Sequence, residues 1–168
     1  HALVMTPSPS DKIKIRSIER NGVRGSWTTL ATAPGAESYG NQGSPEVFVN
    51  SDSSTIAVIY AKGTIAFGAA WTITLATATS AQEPTWASET VVTGIYEDMG
   101  TGSVTGAYIG SNLFSAWQRE TGVGISPKYF YRRKTGGLWG ATQTLYDTRV
   151  AGAFSRVVAA YPVSGGVG

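Results

Sequence analysis

Short runs rich in Val, Ile, Tyr, Phe, Trp and Thr recur along this chain, and clusters of Gly, Ser, Pro and Asn separate them. Runs of this composition, bounded by turn-forming residues, are typical of β-strands. Apolar residues at helical spacing are nearly absent, so the sequence predicts an all-β protein. The chain has 168 residues, 42% of them hydrophobic, and we expect a single domain with a core of its own.

The strand-like runs repeat in groups of four, labelled A to D in chain order. The clearest group occupies 104–109, 113–117, 129–134 and 138–145. A second group occupies 46–49, 55–60, 71–77 and 85–92. Four strands in ~40–50 residues are the signature of a propeller blade. The sequence therefore predicts a segment of a β-propeller built from four-stranded antiparallel blades.

The predicted units amount to about three blades, whereas propellers usually have about four to eight. The units are a partial blade with strands B to D at 1–34, blades at 45–92 and 103–146, and a partial blade with strands A and B at 149–168. We expect either a segment of a longer propeller, truncated at both ends, or copies of the chain that associate to close a ring.

Two stretches resemble the C–D hairpin of sialidase-like propellers with BNR (Asp-box) repeats. They are Tyr129-Phe-Tyr-Arg-Arg-Lys-Thr-Gly-Gly-Leu-Trp139 and Ile18-Glu-Arg-Asn-Gly-Val-Arg-Gly-Ser-Trp27. Lys134 stands where the box has its Asp, while Gly136 and Trp139 are retained. The resemblance implies the propeller fold. It also implies structural turn or blade roles for Trp27, Trp86, Gly136 and Trp139, with stacking on a sugar as the alternative for one tryptophan.

The same resemblance sets what catalysis would require. A sialidase needs an arginine triad that grips a carboxylate, an acid/base Asp, and a Tyr activated by a Glu. The arginine candidates here are Arg119, Arg149 and Arg156, and none has a diagnostic flanking motif. We therefore expect no catalysis by this chain, and no catalytic residue is assigned.

Ligand-binding candidates lie in two loops that share one rim if the blades are correctly assigned. Glu97 and Asp98 form an adjacent carboxylate pair in the D–A connection, and Arg119 and Glu120 begin the B–C loop. Paired carboxylates serve acid/base chemistry in glycoside hydrolysis, but sequence neighbours usually point apart. A solvated loop pair is the competing interpretation.

Charge and residue usage exclude several function classes. A net charge of +2 is too small for an electrostatic grip on nucleic acid. In 129–134 the strand alternation divides the aromatic and basic side chains between two faces, so they form no single stacking platform. The longest apolar runs are too short for a membrane helix, and we expect no membrane insertion.

Metal and cofactor chemistry is likewise not indicated. The chain has no cysteine, and His1 is its single histidine. Thiolate sites, disulfides and multi-histidine sites therefore cannot form within one chain. The glycine runs at 121–124 and 164–168 lack the spacing of a dinucleotide or phosphate loop and are interpreted as turns, so no cofactor is expected.

The sequence thus predicts a non-catalytic recognition or structural module of a larger extracellular, cell-surface or phage-particle protein. Its expected partners are glycans, further blades of the same chain, or further copies of the chain. One alternative is a fragment of a sialidase-like glycoside hydrolase whose catalytic residues lie largely outside these residues. The other is a structural module that assembles through open strand edges.

Overall fold

The computed structural model describes residues 2–7, 12–19, 21–32, 45–50, 54–62, 71–79, 85–95, 104–119, 128–147, 162–163 and 166–167. This part of the chain forms strands and turns and contains no helix, hence none that could cross a membrane. Its strands pair antiparallel in sheets of two to five strands, which confirms the predicted all-β class. Within these ranges the strands form four separate sheets, and the strand order of each sheet is open-ended.

Sheet I is the first along the chain and has three strands in sequential order. They are β1 (Ala2–Pro7), β2 (Lys12–Ile18) and β3 (Thr28–Thr32). In β2, Ile13 and Ile15 are buried, while Lys14 and Arg16 are only half-buried. This two-residue alternation is that of a strand with one face on the core.

Sheet II has four strands in sequential order. They are β4 (Glu46–Val49), β5 (Thr55–Lys62), β6 (Trp71–Thr79) and β7 (Ala87–Ile95). All six residues at 56–61 of β5 are buried. Successive side chains of a strand point to opposite faces, so an unbroken buried run means that both faces of this sheet are covered.

Sheet III has five strands, two of which share a partner. They are β8 (Val104–Ile109), β9 (Asn112–Arg119), β10 (Lys128–Thr135), β11 (Leu138–Trp139) and β12 (Gln143–Asp147). Both β11 and β12 pair with β10. The single strand predicted over 138–145 was therefore wrong, because the chain leaves the ladder at 140–142. A two-stranded ribbon of β13 (Pro162–Val163) and β14 (Gly166–Val167) follows.

The three larger sheets are stacked, and sheet II is the middle layer. Apolar side chains from one face of sheet II and from sheet III form the larger core cluster. Its buried members are Ala57, Ile59, Ala61, Ile73, Leu75, Val91, Val104, Leu113 and Trp117. Burying one such large side chain contributes ~1.5–3 kcal/mol, so this cluster is the main source of attraction between the two sheets.

The opposite face of sheet II packs against sheet I. Val58 and Tyr60 of β5 lie with Ile13 and Ile15 of β2 in a second core cluster. The Tyr60 hydroxyl donates a hydrogen bond to the Leu30 carbonyl oxygen at 3.4 Å, which satisfies the one polar atom that this tyrosine carries into the core. Alternate residues of β5 thus hold the two neighbouring sheets in place.

The structure has strands in every run of the two predicted groups of four, apart from the division of 138–145, and three strands in the predicted partial blade at 1–34. Of the partial blade predicted at 149–168, only 162–163 and 166–167 belong to the described residues. The grouping into blades at 1–34, 45–92, 103–146 and 149–168 stays a prediction.

Candidate functional site

The rim candidates fall largely outside the described residues. This holds for Glu97, Asp98 and Glu120, while for Arg119 the backbone alone is described. Arg119 is the last residue of β9 and pairs with Lys128 of β10. Arg119 therefore lies at the end of β9 farthest from the turn that joins β8 to β9.

The tryptophans that resemble blade residues occupy related places. Trp27 precedes β3, Trp86 precedes β7 and Trp139 lies in β11. Trp27 is 40% exposed, and the Arg16 guanidinium lies 4.3 Å from the centre of its ring. Trp86 packs against the core between sheets I and II, and Trp139 packs against the core between sheets II and III. Trp86 and Trp139 thus contribute to the packing between sheets, whereas Trp27 lies at the surface beside Arg16.

Gly136 lies in the two-residue turn between β10 and β11, together with Gly137. Their φ angles are +58° and +84°. Both values fall in the left-handed region, which glycine adopts without steric cost. A two-residue hairpin with positive φ at both positions matches the twist of its strands, so these glycines fix the register of β11 on β10.

A cleft opens between sheets II and III, at the end of the stack formed by the β8–β9 and β10–β11 turns. Its volume is about 250 Å³. Leu75 and Leu113 are buried and form its floor, whereas Ser111 and Gly137 are exposed at its mouth. The described residues that line it are Thr55, Leu75, Thr77, Tyr108, Ser111, Leu113, Lys134 and Gly137. The cleft therefore combines an apolar floor with walls rich in hydroxyl groups.

Lys134 connects the two sheets at this cleft. Its Nζ forms a salt bridge with Glu89 Oε1 of β7, and it lies 5.9 Å from the centre of the Trp139 ring. The two charged side chains are 23% and 36% exposed, so solvent screens the pair only in part. Lys134 is thus held by an acid from the neighbouring sheet.

Arg132 makes a second polar link between the same sheets. Its Nε donates to the Gly140 carbonyl oxygen at 2.7 Å, and its Nη1 donates to the Val91 carbonyl oxygen of β7. Phe130, on the same face of β10, stacks on Trp117 with ring centres 6.2 Å apart. The predicted alternation of β10 is confirmed, and one of its faces lies in the contact between sheets.

Tyr108 is the titratable side chain on the β8 wall of the cleft. Burial raises the pKa of its phenol above the ordinary value of 10.0, and the negative charge of Glu89 raises that pKa further. The phenol is therefore neutral at physiological pH and both donates and accepts hydrogen bonds. Its ring lies 5.7 Å from that of Phe48 in β4, which fixes its position.

Metal ligation has no support in the described residues. They contain no group of three or more His, Cys, Asp or Glu side chains that could hold an ion. His1 lies outside them.

The residues of this cleft were not predicted as a site. Lys134 and Glu89 are 45 residues apart and on different sheets. The sequence signal for this contact was strand alternation, which places Phe130, Arg132 and Lys134 on one face of β10. A face with an aromatic ring and two long cationic side chains indicates contact with another part of the protein. The identity of that partner depends on how the sheets stack, which no local pattern shows.

Comparison of this chain with protein-family models, with curated proteins and with solved structures gave no match.

Proposed function

We propose that this chain is a non-catalytic recognition or structural module, a segment of a sialidase-like β-propeller within a larger extracellular, cell-surface or phage-particle protein. In this proposal its partners are glycans, together with further blades from the same chain or from other copies.

The observation that carries the proposal is the packing of consecutive meanders face to face. Sheets II and III are each formed by successive antiparallel strands, and their first strands, β4 and β8, lie against each other. Propellers are built by radial repetition of four-stranded sheets, with neighbouring blades packed in this way. Sheet I packs on sheet II as the sheet before it in the series.

The charged groups between sheets II and III support a non-catalytic role. Lys134 is paired with Glu89, and Arg132 is bound to two carbonyl oxygens. These cations already have partners in the contact between the sheets, so a substrate carboxylate would have to compete for them.

Assembly through strand edges is a second candidate, favoured by two exposed leucines. Leu138 of β11 is 78% exposed and Leu145 of β12 is 58% exposed. Both lie on the short strands beyond β10, where an incoming strand would add to sheet III. Exposed apolar residues on such a strand promote pairing between chains.

The test combines three measurements on the full chain. Binding to a glycan array, together with no fluorophore release from a panel of fluorogenic glycosides that includes a sialoside, is the expected result. Turnover of any of these glycosides contradicts the non-catalytic assignment. Sedimentation over a wide range of protein concentrations supplies the third measurement. Concentration-dependent assembly without glycan binding selects the second candidate.

A further inference from the structure

The cleft between sheets II and III has the size of a site for one small ligand. Its volume of about 250 Å³ lies just below the ~300–1,000 Å³ of pockets that take drug-sized molecules. Its walls belong to two different sheets, and the core beneath it, with Leu75 and Leu113 almost fully buried, fixes their separation. The site is therefore largely formed before any ligand arrives.

The charges at the cleft favour a neutral ligand. Its cation, Lys134, is already bound to Glu89, and an anion would have to compete with that carboxylate. Tyr108 is uncharged because burial and Glu89 both oppose its ionisation. A charged ligand would lose hydration on entry without gaining an unpaired counter-charge.

The remaining lining matches the two kinds of surface on a pyranose ring. Thr55, Thr77 and Ser111 carry hydroxyl groups that both donate and accept hydrogen bonds, as does Tyr108. The half-buried Tyr108 ring offers an apolar surface for the C–H face of a sugar. Sugars present these two features together, whereas a purely apolar ligand would leave the hydroxyl groups unpaired.

We propose that this cleft binds a single neutral hexopyranose unit, with the Tyr108 hydroxyl as a hydrogen-bonding partner. This inference rests on the proposed recognition function and specifies where, and for which sugar class, it operates. The cleft lies at the opposite ends of the strands of sheet III from the predicted rim at Arg119.

The test titrates the full chain with the methyl glycosides of glucose, galactose, mannose and N-acetylglucosamine, with the methyl glycoside of N-acetylneuraminic acid as the charged comparison. Calorimetry or ligand-observed NMR measures the binding. The key variant is Tyr108→Phe, which keeps the ring on Phe48 and removes the hydroxyl. The matched control is Tyr131→Phe, on the other face of sheet III and outside the cleft lining.

We expect saturable binding of at least one neutral glycoside, weakened about 2- to 12-fold by Tyr108→Phe, which is the range for one lost hydrogen bond, and unchanged by Tyr131→Phe. Thermal unfolding of both variants shows that each is folded. Preference for the charged sugar, or equal weakening by both variants, overturns the inference.

The glycan array separates failure of this inference from failure of the proposed function. If Tyr108→Phe binds the glycan array as the parent chain does, the cleft is not the binding site, and the proposed recognition function is retained. The absence of any glycan binding, on the array or in solution, overturns both.

Discussion

Glu46, at the start of β4, carries a carboxyl group into the contact with β8. Burial raises the pKa of this carboxyl above 4.5, and hydrogen bonds from the Thr105 side chain and the Gly106 backbone oppose that rise in part. The native protein therefore binds this proton more tightly than the unfolded chain does. The contribution of Glu46 to stability is largest below pH 4.5, falls as the pH rises through the native pKa, and is constant above it.

Glu46→Gln tests this linkage, because the amide removes the buried charge and keeps a hydrogen-bond acceptor. We expect the variant to unfold about 1–3 °C above the parent protein at pH 7, and the difference to shrink as the pH is lowered to 4. Thermal unfolding followed by circular dichroism at a series of pH values measures it. A difference that does not change with pH would contradict the assignment of the effect to the Glu46 charge.

At the scale of elements, β4 and β8 approach closely because β8 has a glycine at the point of contact. A Cβ atom placed on Gly106 would lie 2.6 Å from two ring atoms of Phe48 and 3.2 Å from the Phe114 carbonyl oxygen. The Phe48 ring is itself packed between the sheets beside Tyr108. Glycine is required at this position by the space available and not by its φ angle.

Gly106→Ala is therefore expected to destabilise the protein by ~1–3 kcal/mol, the usual cost of overpacking. In the background of Phe48→Leu the same substitution should cost less, because the smaller side chain makes room. Urea unfolding of the parent protein, the two single variants and the double variant gives the coupling free energy between Gly106→Ala and Phe48→Leu. Gly140→Ala is the control, since its Cβ would lie 3.4 Å from the nearest atom, and we expect a change below ~1 kcal/mol. If Gly106→Ala lowered the free energy of unfolding equally in both backgrounds, contact with the Phe48 ring would not be the cause of the destabilisation.

The strands and tight turns were the predictable part of these elements. The alternation of β10, the glycine turn at 136–137 and the apolar run at 55–60 are local patterns, and the structure places a strand or turn at each. The division of β11 from β12 was missed, because a two-residue strand leaves no periodicity to detect. The cleft was missed because Tyr108, Lys134 and Glu89 come from three strands that only the stacking of sheets brings together.

At the scale of the whole molecule, sheet II is common to both hydrophobic clusters. One face of β5 supplies Ala57, Ile59 and Ala61 to the contact with sheet III, and the other supplies Val58 and Tyr60 to the contact with sheet I. Polar links such as Lys134–Glu89 lie partly in solvent, where an ion pair contributes only ~0–1 kcal/mol. Apolar burial on both faces of sheet II is therefore what holds the stack together.

This arrangement predicts that truncating one buried side chain of sheet II lowers the free energy of unfolding of all three stacked sheets together. Ile59 is fully buried at the contact with sheet III, and Ile59→Ala should destabilise the protein by ~2–5 kcal/mol through lost transfer energy and the cavity left behind. Val49→Ala, at a residue of sheet II that is 50% exposed, is the control and should cost less than ~1 kcal/mol.

Urea unfolding followed by tryptophan fluorescence and by far-ultraviolet circular dichroism should give coincident transitions for both variants, because sheets I and III share sheet II as their support. Two separated transitions in Ile59→Ala would show that sheets I and II form a unit that folds without sheet III.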